Sequence, residues 1–208
     1  MNRKTSPLAF RTVFRVAGLA VAAALLGACG GTKVSRVTHD SVIDLSGKWN
    51  DTDSRLTAEE MLRDCLSSSW YKPFEAEGKI PTVIVGSVKN KSHEHIDAET
   101  FIKDIERTLI NSGKVAFVAN KDERDQLRDE KADQATNASV DTRSKAGEES
   151  GADMMLIGTI NSIVDKEAGK SVIFYQVNLE LVNLESNRKV WIGDKKIKKY
   201  VTKSAAGI

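Results

Sequence analysis

The sequence predicts an α/β fold, a two- or three-layer sandwich in which helices cover a mixed, mostly antiparallel sheet. Helical and strand periodicities alternate along the chain beyond residue 42, as is typical of such a sandwich. Three strand patterns then follow one another near the C-terminus and indicate an antiparallel meander. In residues 171–184 apolar and polar side chains alternate, with Tyr175, Val177 and Leu179 on one face. This alternation is expected of a strand that is covered on one face only.

The first predicted elements are a helix, a loop and a buried strand. Thr57 and Glu60 have the spacing of a capping box and predict a helix that runs to about Trp70. A loop is expected over residues 71–79, and the β-branched side chains of residues 80–88 predict the strand.

Two helices and a short strand are expected next. Asp97 is predicted as the N-cap of a helix that ends at Gly113 and turns one apolar face to the core. That face carries Phe101, Ile102, Ile105 and Leu109. Residues 115–118 predict the short strand. Asn120 with Glu123 predicts the capped start of a charged surface helix.

A further helix is expected over residues 139–150. The three C-terminal strands follow it, separated by turns at Gly169-Lys170 and Ser186-Asn187. Their predicted bounds are residues 153–164, 171–184 and 189–201.

The N-terminus has the pattern of a lipoprotein leader. A stretch with Arg3 and Arg15 but no acidic residue precedes an apolar run at residues 16–28. Leu26-Gly27-Ala28-Cys29 closes this run, so we expect cleavage before Cys29 and acylation of its thiol, typically with palmitate. A plain secreted leader is the alternative. The run has 13 residues, too few for a transmembrane helix, which needs roughly 20.

Three segments are predicted: a signal peptide at 1–28, a lipidated N-terminus and short tether at 29–42, and one globular domain at 43–208. The leader holds four of the 31 basic residues and none of the 29 acidic ones, so the remaining chain has a net charge of −2. Nucleic-acid-binding domains carry a strong basic excess, so no nucleic-acid partner is expected.

No motif of an enzyme or a cofactor site stands out. The sequence lacks a nucleophile elbow, a P-loop, a zinc-protease motif and a dinucleotide fingerprint. We therefore expect no catalytic activity, no cofactor and no small-molecule substrate. His93-Glu94-His95 is the candidate metal cluster, but two imidazoles leave a zinc site short of ligands, and a solvated turn is favoured. Asp51 and Asp53 are interpreted as first-turn carboxylates of a helix, not as a calcium loop.

Three features leave alternatives open. Four lysines crowd the last predicted strand: Lys195, Lys196, Lys198 and Lys199. They either keep an exposed edge from pairing with other chains or form a patch for anionic glycans or lipid head groups. Trp191 is either a core residue or, with Tyr200, an anchor for a partner. Cys65 lies on an apolar helix face and is expected to be buried, with a reactive thiol as the alternative.

Several stretches, in order and spacing, resemble one family. Residues 83–90 resemble its first marked core strand, and residues 111–118 its helix stop and next strand. Thr142-Arg143-Ser144-Lys145-Ala146, followed by Gly151-Ala152, is similar to its most recognisable segment. Residues 176–184, followed by Val190-Trp191-Ile192-Gly193, resemble its closing hairpin. On these residues the chain resembles the LpoB family, the outer-membrane lipoprotein activators of penicillin-binding proteins.

The resemblance implies a fold like the N-terminal domain of the periplasmic protein TolB, and a role without catalysis. It also implies attachment to the periplasmic face of the outer membrane, which Gly30 after the acylated cysteine fits. The implied partner is a bifunctional, class A penicillin-binding protein whose glycan polymerisation and cross-linking the lipoprotein stimulates. Two departures are a tether of about a dozen residues, where the family has a long Pro-rich one, and a shorter segment between Ala146 and Gly151.

Four polar residues at or near the ends of family-like elements are the candidate partner-binding residues: Lys89, Asn90, Arg143 and Lys145. Taken singly, each of them is better explained by turn and cap chemistry.

Two other functions compete with this one. The first is an envelope assembly or secretion lipoprotein that uses the same fold as a scaffold. The second is a hydrolase or glycan-modifying enzyme, which would require a pocket that contains a carboxylate or a histidine cluster such as His93 and His95.

Overall fold

The structure is a computed structural model that describes residues 33–145 and 147–202. The predicted leader, Cys29 and the first residues of the tether lie outside the described residues, and so does Ala146 of the family-like segment. The chain divides into two compact units, Met1–Ser41 and Val42–Ile208. In the described part of the first unit, a turn is closed by the Ser41 N–H, which donates to the Thr38 carbonyl.

The described part of the second unit consists of helices and strands that alternate until a C-terminal run of strands. In chain order they are α1 (Asp51–Ser67), a 3-10 turn (Ser69–Tyr71), α2 (Lys72–Ala76), β1 (Thr82–Lys91), α3 (Ala98–Asn111), β2 (Ala116–Phe117), α4 (Lys121–Asn137), β3 (Met154–Glu167), β4 (Lys170–Asn183) and β5 (Lys189–Thr202).

The strands form one mixed sheet in the order β2-β1-β3-β4-β5. β1 runs parallel to both β2 and β3, whereas β3, β4 and β5 form an antiparallel meander with much longer ladders. The predicted mixed, mostly antiparallel sheet is therefore confirmed. The two predicted hairpin turns are also present, and Gly169 and Asn187 adopt positive φ angles in them. Glycine and asparagine are the residues that adopt this backbone conformation most readily.

Helix α1 begins earlier than predicted. Asn50 is its N-cap, and Asn50 and Asp53 form a reciprocal capping box, with hydrogen bonds of 3.0 Å in both directions. The predicted start at Thr57 is wrong, because the same capping pattern occurs about two turns earlier, at Asn50, and Thr57 is fully buried inside the helix. The placement of Asp51 and Asp53 in the first turn is confirmed.

Two other predicted elements are wrong. The expected loop at 71–79 contains helix α2, which starts with Pro73 in its first turn. The expected helix at 139–150 does not form in the described part of that segment, where a turn instead directs the N–H of Arg143 to the carbonyl of Ser139. That segment has no apolar stripe to bury, and its one large aliphatic side chain, Val140, is 74% exposed.

Other predicted helix ends are confirmed. The Asp97 side chain accepts the Glu99 N–H at the start of α3, and Gly113 has a φ of 64° just past its end. Asn120 and Glu123 form the capping box of α4, and α4 has no buried residue. It is the charged surface helix that the sequence predicts.

The core lies between the sheet and helices α1 and α3, which pack against each other and against β5 and β1. The predicted apolar stripe of α3 enters this core through Phe101, Ile105 and Leu109, and Ile102 packs at its margin. The predicted inner side chains of β4 are also buried, with Tyr175 and Val177 fully inaccessible. The domain is therefore a two-layer α/β sandwich.

No helix in the described residues combines the length and the apolar character that crossing a bilayer requires.

Gly158 of β3 gives a direct test of this packing. A Cβ at Gly158 would lie 2.6 Å from both the Asn178 carbonyl oxygen and the Cδ2 of Leu179. We expect Gly158→Ala to lower the free energy of unfolding by about 1–3 kcal/mol, because neighbouring backbone must move. Urea denaturation followed by circular dichroism measures the change.

Gly151→Ala is the matched control, since nothing lies within 4 Å of a Cβ at that position. It should change stability by no more than about 0.5 kcal/mol. Equal stability of the two variants would contradict the described register of β3 and β4.

Candidate functional site

The sheet has one covered and one open face. Side chains of the β3–β5 meander alternate between the core and the opposite side, and the opposite side is partly or fully exposed. We call this side the open face. It comprises every second residue of 157–165 in β3, 172–182 in β4 and 192–200 in β5, together with Lys89 and Lys91 of β1. The predicted half-covered character of β4 is confirmed.

The middle of the open face is polar. Four side chains form a band across β3 and β4: Thr159, Asn161, Gln176 and Asn178. They are joined in pairs, because the amide of Asn161 donates to Thr159 (3.1 Å) and the amide of Gln176 donates to Asn178 (3.0 Å). Pairing across β1 and β5 places lysines at both ends of this band, with Lys91 opposite Asn161 and Lys196 opposite Gln176.

Exposed apolar side chains lie on either side of the polar band. Ile163 is 67% exposed, Ile192 64% and Tyr200 63%. These are the large apolar side chains of the described strands that are most exposed, and all of them are on the open face. Toward the β3–β4 turn, Ile163 pairs with Phe174.

The charges on the open face are unevenly compensated. Glu180 and Asp194 each form an ion pair, with Lys189 (2.7 Å) and Lys196 (2.9 Å). In residues 33–145 and 147–202 no anionic partner is found for Lys89, Lys91 or Lys198. Asp165 and Glu167 lie at the turn end of this face, next to Lys170.

The predicted partner-binding pair in β1 is divided between the two faces. Lys89 is opposite Thr159 on the open face, whereas Asn90 is opposite the buried Ile160. The amide of Asn90 donates to the carbonyls of Glu94 (2.8 Å) and Ile96 (3.3 Å), so it supports the loop after β1.

The other predicted pair, Arg143 and Lys145, lies in the connection between α4 and β3 and is exposed. No hydrogen bond or ion pair in the described residues brings either of them to Lys89 or Asn90. The nearby carboxylate of Glu149 is bound by Arg128, which ties this connection to α4.

The loop after β1 contains a buried carboxylate that the sequence analysis missed. Glu94 accepts hydrogen bonds from the hydroxyl of Tyr175 (2.7 Å) and the backbone N–H of Trp49 (3.1 Å), and its side chain is only 9% exposed. Burial and the hydrogen bond to Glu94 raise the pKa of Tyr175. The favoured interpretation as a solvated turn is thus wrong for Glu94. The sequence signal for this carboxylate was Tyr175. It lies on an apolar strand face, and a buried tyrosine hydroxyl needs a polar partner.

The histidines of this loop do not form a metal cluster. The Nδ1 of His93 lies 2.6 Å from the Ser162 hydroxyl and its Nε2 lies 3.2 Å from Glu94, so both ring nitrogens are engaged. His95 is exposed. Among the described residues, no group of three histidine, cysteine or acidic side chains is placed to hold a metal ion.

Lys199 fastens the segment before α1 to the sheet. Its Nζ contacts the carboxylates of Asp53 (2.6 Å) and Asp44 (3.0 Å) and the carbonyl of Lys48 (3.0 Å). The side chains of Lys199 and Asp53 are 13% and 10% exposed. Burial lowers the pKa of Lys199, but Asp53 and Asp44 outweigh this effect and the pKa is raised. Lys199 in turn lowers the pKa of the Asp44 carboxyl.

The structure also decides between the alternatives that the sequence left open for the lysines of β5, Trp191 and Cys65. β5 is an edge strand, and Lys195 pairs with Glu60, so the four lysines do not form one free patch. Trp191 is a core residue, with its indole N–H donating to Asp64. Cys65 is 2% exposed, and desolvation raises its pKa to about 12, so its thiol is the expected small buried hydrophobe.

These features place the protein in the class of two-layer α/β domains that have one open sheet face. A family model described as the peptidoglycan-synthase activator LpoB matches residues 53–197. The chain belongs to the LpoB family, which confirms the resemblance seen in its sequence. Membership supports a role as a peptidoglycan-synthase activator. A comparison with curated proteins finds no match.

Several solved structures are also similar to the chain. The C-terminal domain of LpoB from Escherichia coli has 15% sequence identity and a TM-score of 0.43, with coverage of 71% of this chain and 99% of that one. The NMR structure of LpoB from the same organism has 15% sequence identity and a TM-score of 0.41, with coverage of 84% of this chain and 86% of that one. Lipoprotein GNA1162 from Neisseria meningitidis has 13% sequence identity and a TM-score of 0.37, with coverage of 61% of this chain and 88% of that one. The family assignment rests on the family model.

The Lys199 contacts predict a difference between two adjacent lysines. Lys199→Met leaves the poorly exposed Asp53 carboxylate without its cation and should lower the free energy of unfolding by about 2 kcal/mol. Lys198→Met is the control, because Lys198 is exposed on the open face. Urea denaturation at pH 7 measures both variants, and equal stabilities would contradict the contacts of Lys199.

The same contacts predict a pH window. The lowered pKa of Asp44 makes its stabilisation present above the ordinary value of 3.8 and lost as the pH falls through the lowered pKa. The raised pKa of Lys199 makes its stabilisation present below the ordinary 10.5 and lost as the pH rises through the raised pKa. The stability difference between the unmodified protein and Lys199→Met should be constant from about pH 5 to pH 9 and shrink outside that range. A difference that changes steadily between pH 5 and pH 9 would contradict this assignment.

Proposed function

We propose that the protein is a lipid-anchored outer-membrane lipoprotein that binds a class A penicillin-binding protein and stimulates its polymerisation and cross-linking of peptidoglycan. The single observation that carries this proposal is the family match over residues 53–197. The matched range runs from the first turn of α1 into β5, so it includes both core helices and most of the open face.

Activation requires a difference in affinity. A protein that binds the active conformation of the synthase ten times more tightly than the inactive one shifts the equilibrium by about 1.4 kcal/mol. A few side chains at an interface supply that much free energy. Lys89, Arg143 and Lys145 are proposed to contribute to binding, with Asn90 shaping the loop beside them.

The anchor sets the distance over which the protein acts. Residues 30–42 span on the order of 45 Å when fully extended, and a domain of this size adds roughly 40 Å. A short reach of this kind favours a synthase region that extends through the peptidoglycan toward the outer membrane.

The first prediction of this proposal concerns synthase activity. The lipidated full-length protein in detergent should increase lipid II polymerisation and cross-linking by one class A synthase of its host several-fold, in parallel with binding. Arg143→Glu together with Lys145→Glu should weaken binding and stimulation, because the charge of two proposed contact residues is reversed.

Absence of binding to every class A synthase of the host would contradict the proposal. Co-purification with assembly or secretion components instead would favour the scaffold function. Unchanged binding by a folded Arg143→Glu/Lys145→Glu variant would remove these two residues from the interface.

The second prediction concerns the anchor. Cys29→Ser should abolish incorporation of labelled palmitate and release the protein from the outer-membrane fraction, since Cys29 is the proposed acylated residue. Cys65→Ser is the control for thiol-dependent labelling, and it should leave both properties unchanged. Palmitate incorporation into the Cys29→Ser variant would contradict the lipoprotein assignment.

A further inference from the structure

We infer that the open face is the surface that docks on the synthase, and that it fits a protein surface with carboxylates around exposed apolar side chains. This inference rests on the proposed function and names the surface and the partner chemistry that the function requires.

The charge distribution specifies the chemistry of the partner. Both carboxylates near the polar band, Glu180 and Asp194, are already neutralised by lysines of β5. The uncompensated charges beside the band are the cations of Lys89, Lys91 and Lys198, and none of them has an anionic partner in the described residues. The exposed carboxylates of Asp165 and Glu167 lie farther away, at the turn end of the face. A partner surface with carboxylates at matching positions complements this pattern.

The apolar residues specify where contact is closest. Antiparallel sheets with a solvated face normally alternate apolar inward and polar outward side chains. The open face departs from this rule at Ile163 and Ile192, which are 67% and 64% exposed although both lie inside long strands. Such side chains on both sides of a hydrogen-bonded polar band give a partner two separate apolar contacts, which fix its position on the face.

The dimensions agree with a protein interface. The open face spans 9 to 11 residues along each meander strand, and the end of β1 adds a fourth strand. At about 4.8 Å between strands and about 3.3 Å per residue, it measures roughly 15 Å by 30 Å. This area is about half of the ~800 Å² that each partner buries in a standard interface, and it is the scale of a weak, transient contact.

A bilayer with anionic head groups is the competing ligand for a lysine-bearing face. The chain beyond the leader has a net charge of −2, which does not favour a strongly anionic surface. The polar band also separates the apolar residues, whereas a membrane-binding face presents a continuous apolar strip.

The test compares two double charge reversals in the full-length protein. Lys89→Glu with Lys198→Glu alters the open face. Arg63→Glu with Lys72→Glu makes the same charge change on α1 and α2, where both side chains are exposed. Binding to the purified synthase is measured by biolayer interferometry, and urea denaturation confirms that each variant is folded. The open-face variant should raise the Kd at least tenfold and the helix variant less than twofold.

A second pair of variants tests the apolar contact without a change in charge. Ile192→Ser should raise the Kd about five- to tenfold. Ile110→Ser is its control, because Ile110 is 53% exposed but lies on helix α3.

The outcomes are distinct. Loss of binding confined to the open-face variants supports the inference. Unchanged binding by these variants, or an equal loss in the helix variants, overturns it. Loss of binding to phosphatidylglycerol vesicles, with synthase binding intact, also overturns it and identifies a lipid-binding face. No synthase binding by the unmodified protein overturns the proposed function and the docking surface with it.

Discussion

The alternation of apolar and polar side chains along β4 determines which face of the sheet the helices cover. Tyr175 and Val177 turn into the core, while Gln176 and Asn178 turn away from it, so the strand can be covered on one side only. Helices α1 and α3 pack on the apolar side, and β3 and β5 continue the same pattern. The open face is therefore a direct result of the sequence period, and it places polar side chains, lysines and exposed isoleucines on one surface.

Two polar contacts fasten the chain that precedes α1 to this sheet. Glu94 holds the Trp49 backbone together with the Tyr175 hydroxyl, and Lys199 binds Asp44 and Asp53. Glu94, Lys199 and Asp53 are poorly exposed and paired, which is the condition under which buried charges are tolerated, whereas Asp44 is 53% exposed.

Local signals in the sequence predicted the fold well where they were unambiguous. The meander followed from its period of two, and the ends of α3 followed from Asp97 and Gly113. The errors have physical reasons. Two capping patterns compete near α1, and tertiary burial of Thr57 selects the earlier one. The candidate site was only partly predictable, because Lys89 belongs to the open face through strand register and Glu94 is buried by residues far away in sequence.

Methyl NMR would show whether the open face contacts the synthase. The full-length protein would be labelled at isoleucine δ1-methyl groups and titrated with the purified synthase. We expect shifts or line broadening at Ile163 and Ile192, with no change at Ile110, which is exposed on α3. Changes at Ile110 with unaltered signals from Ile163 and Ile192 would show that the helical layer docks instead and would contradict the account.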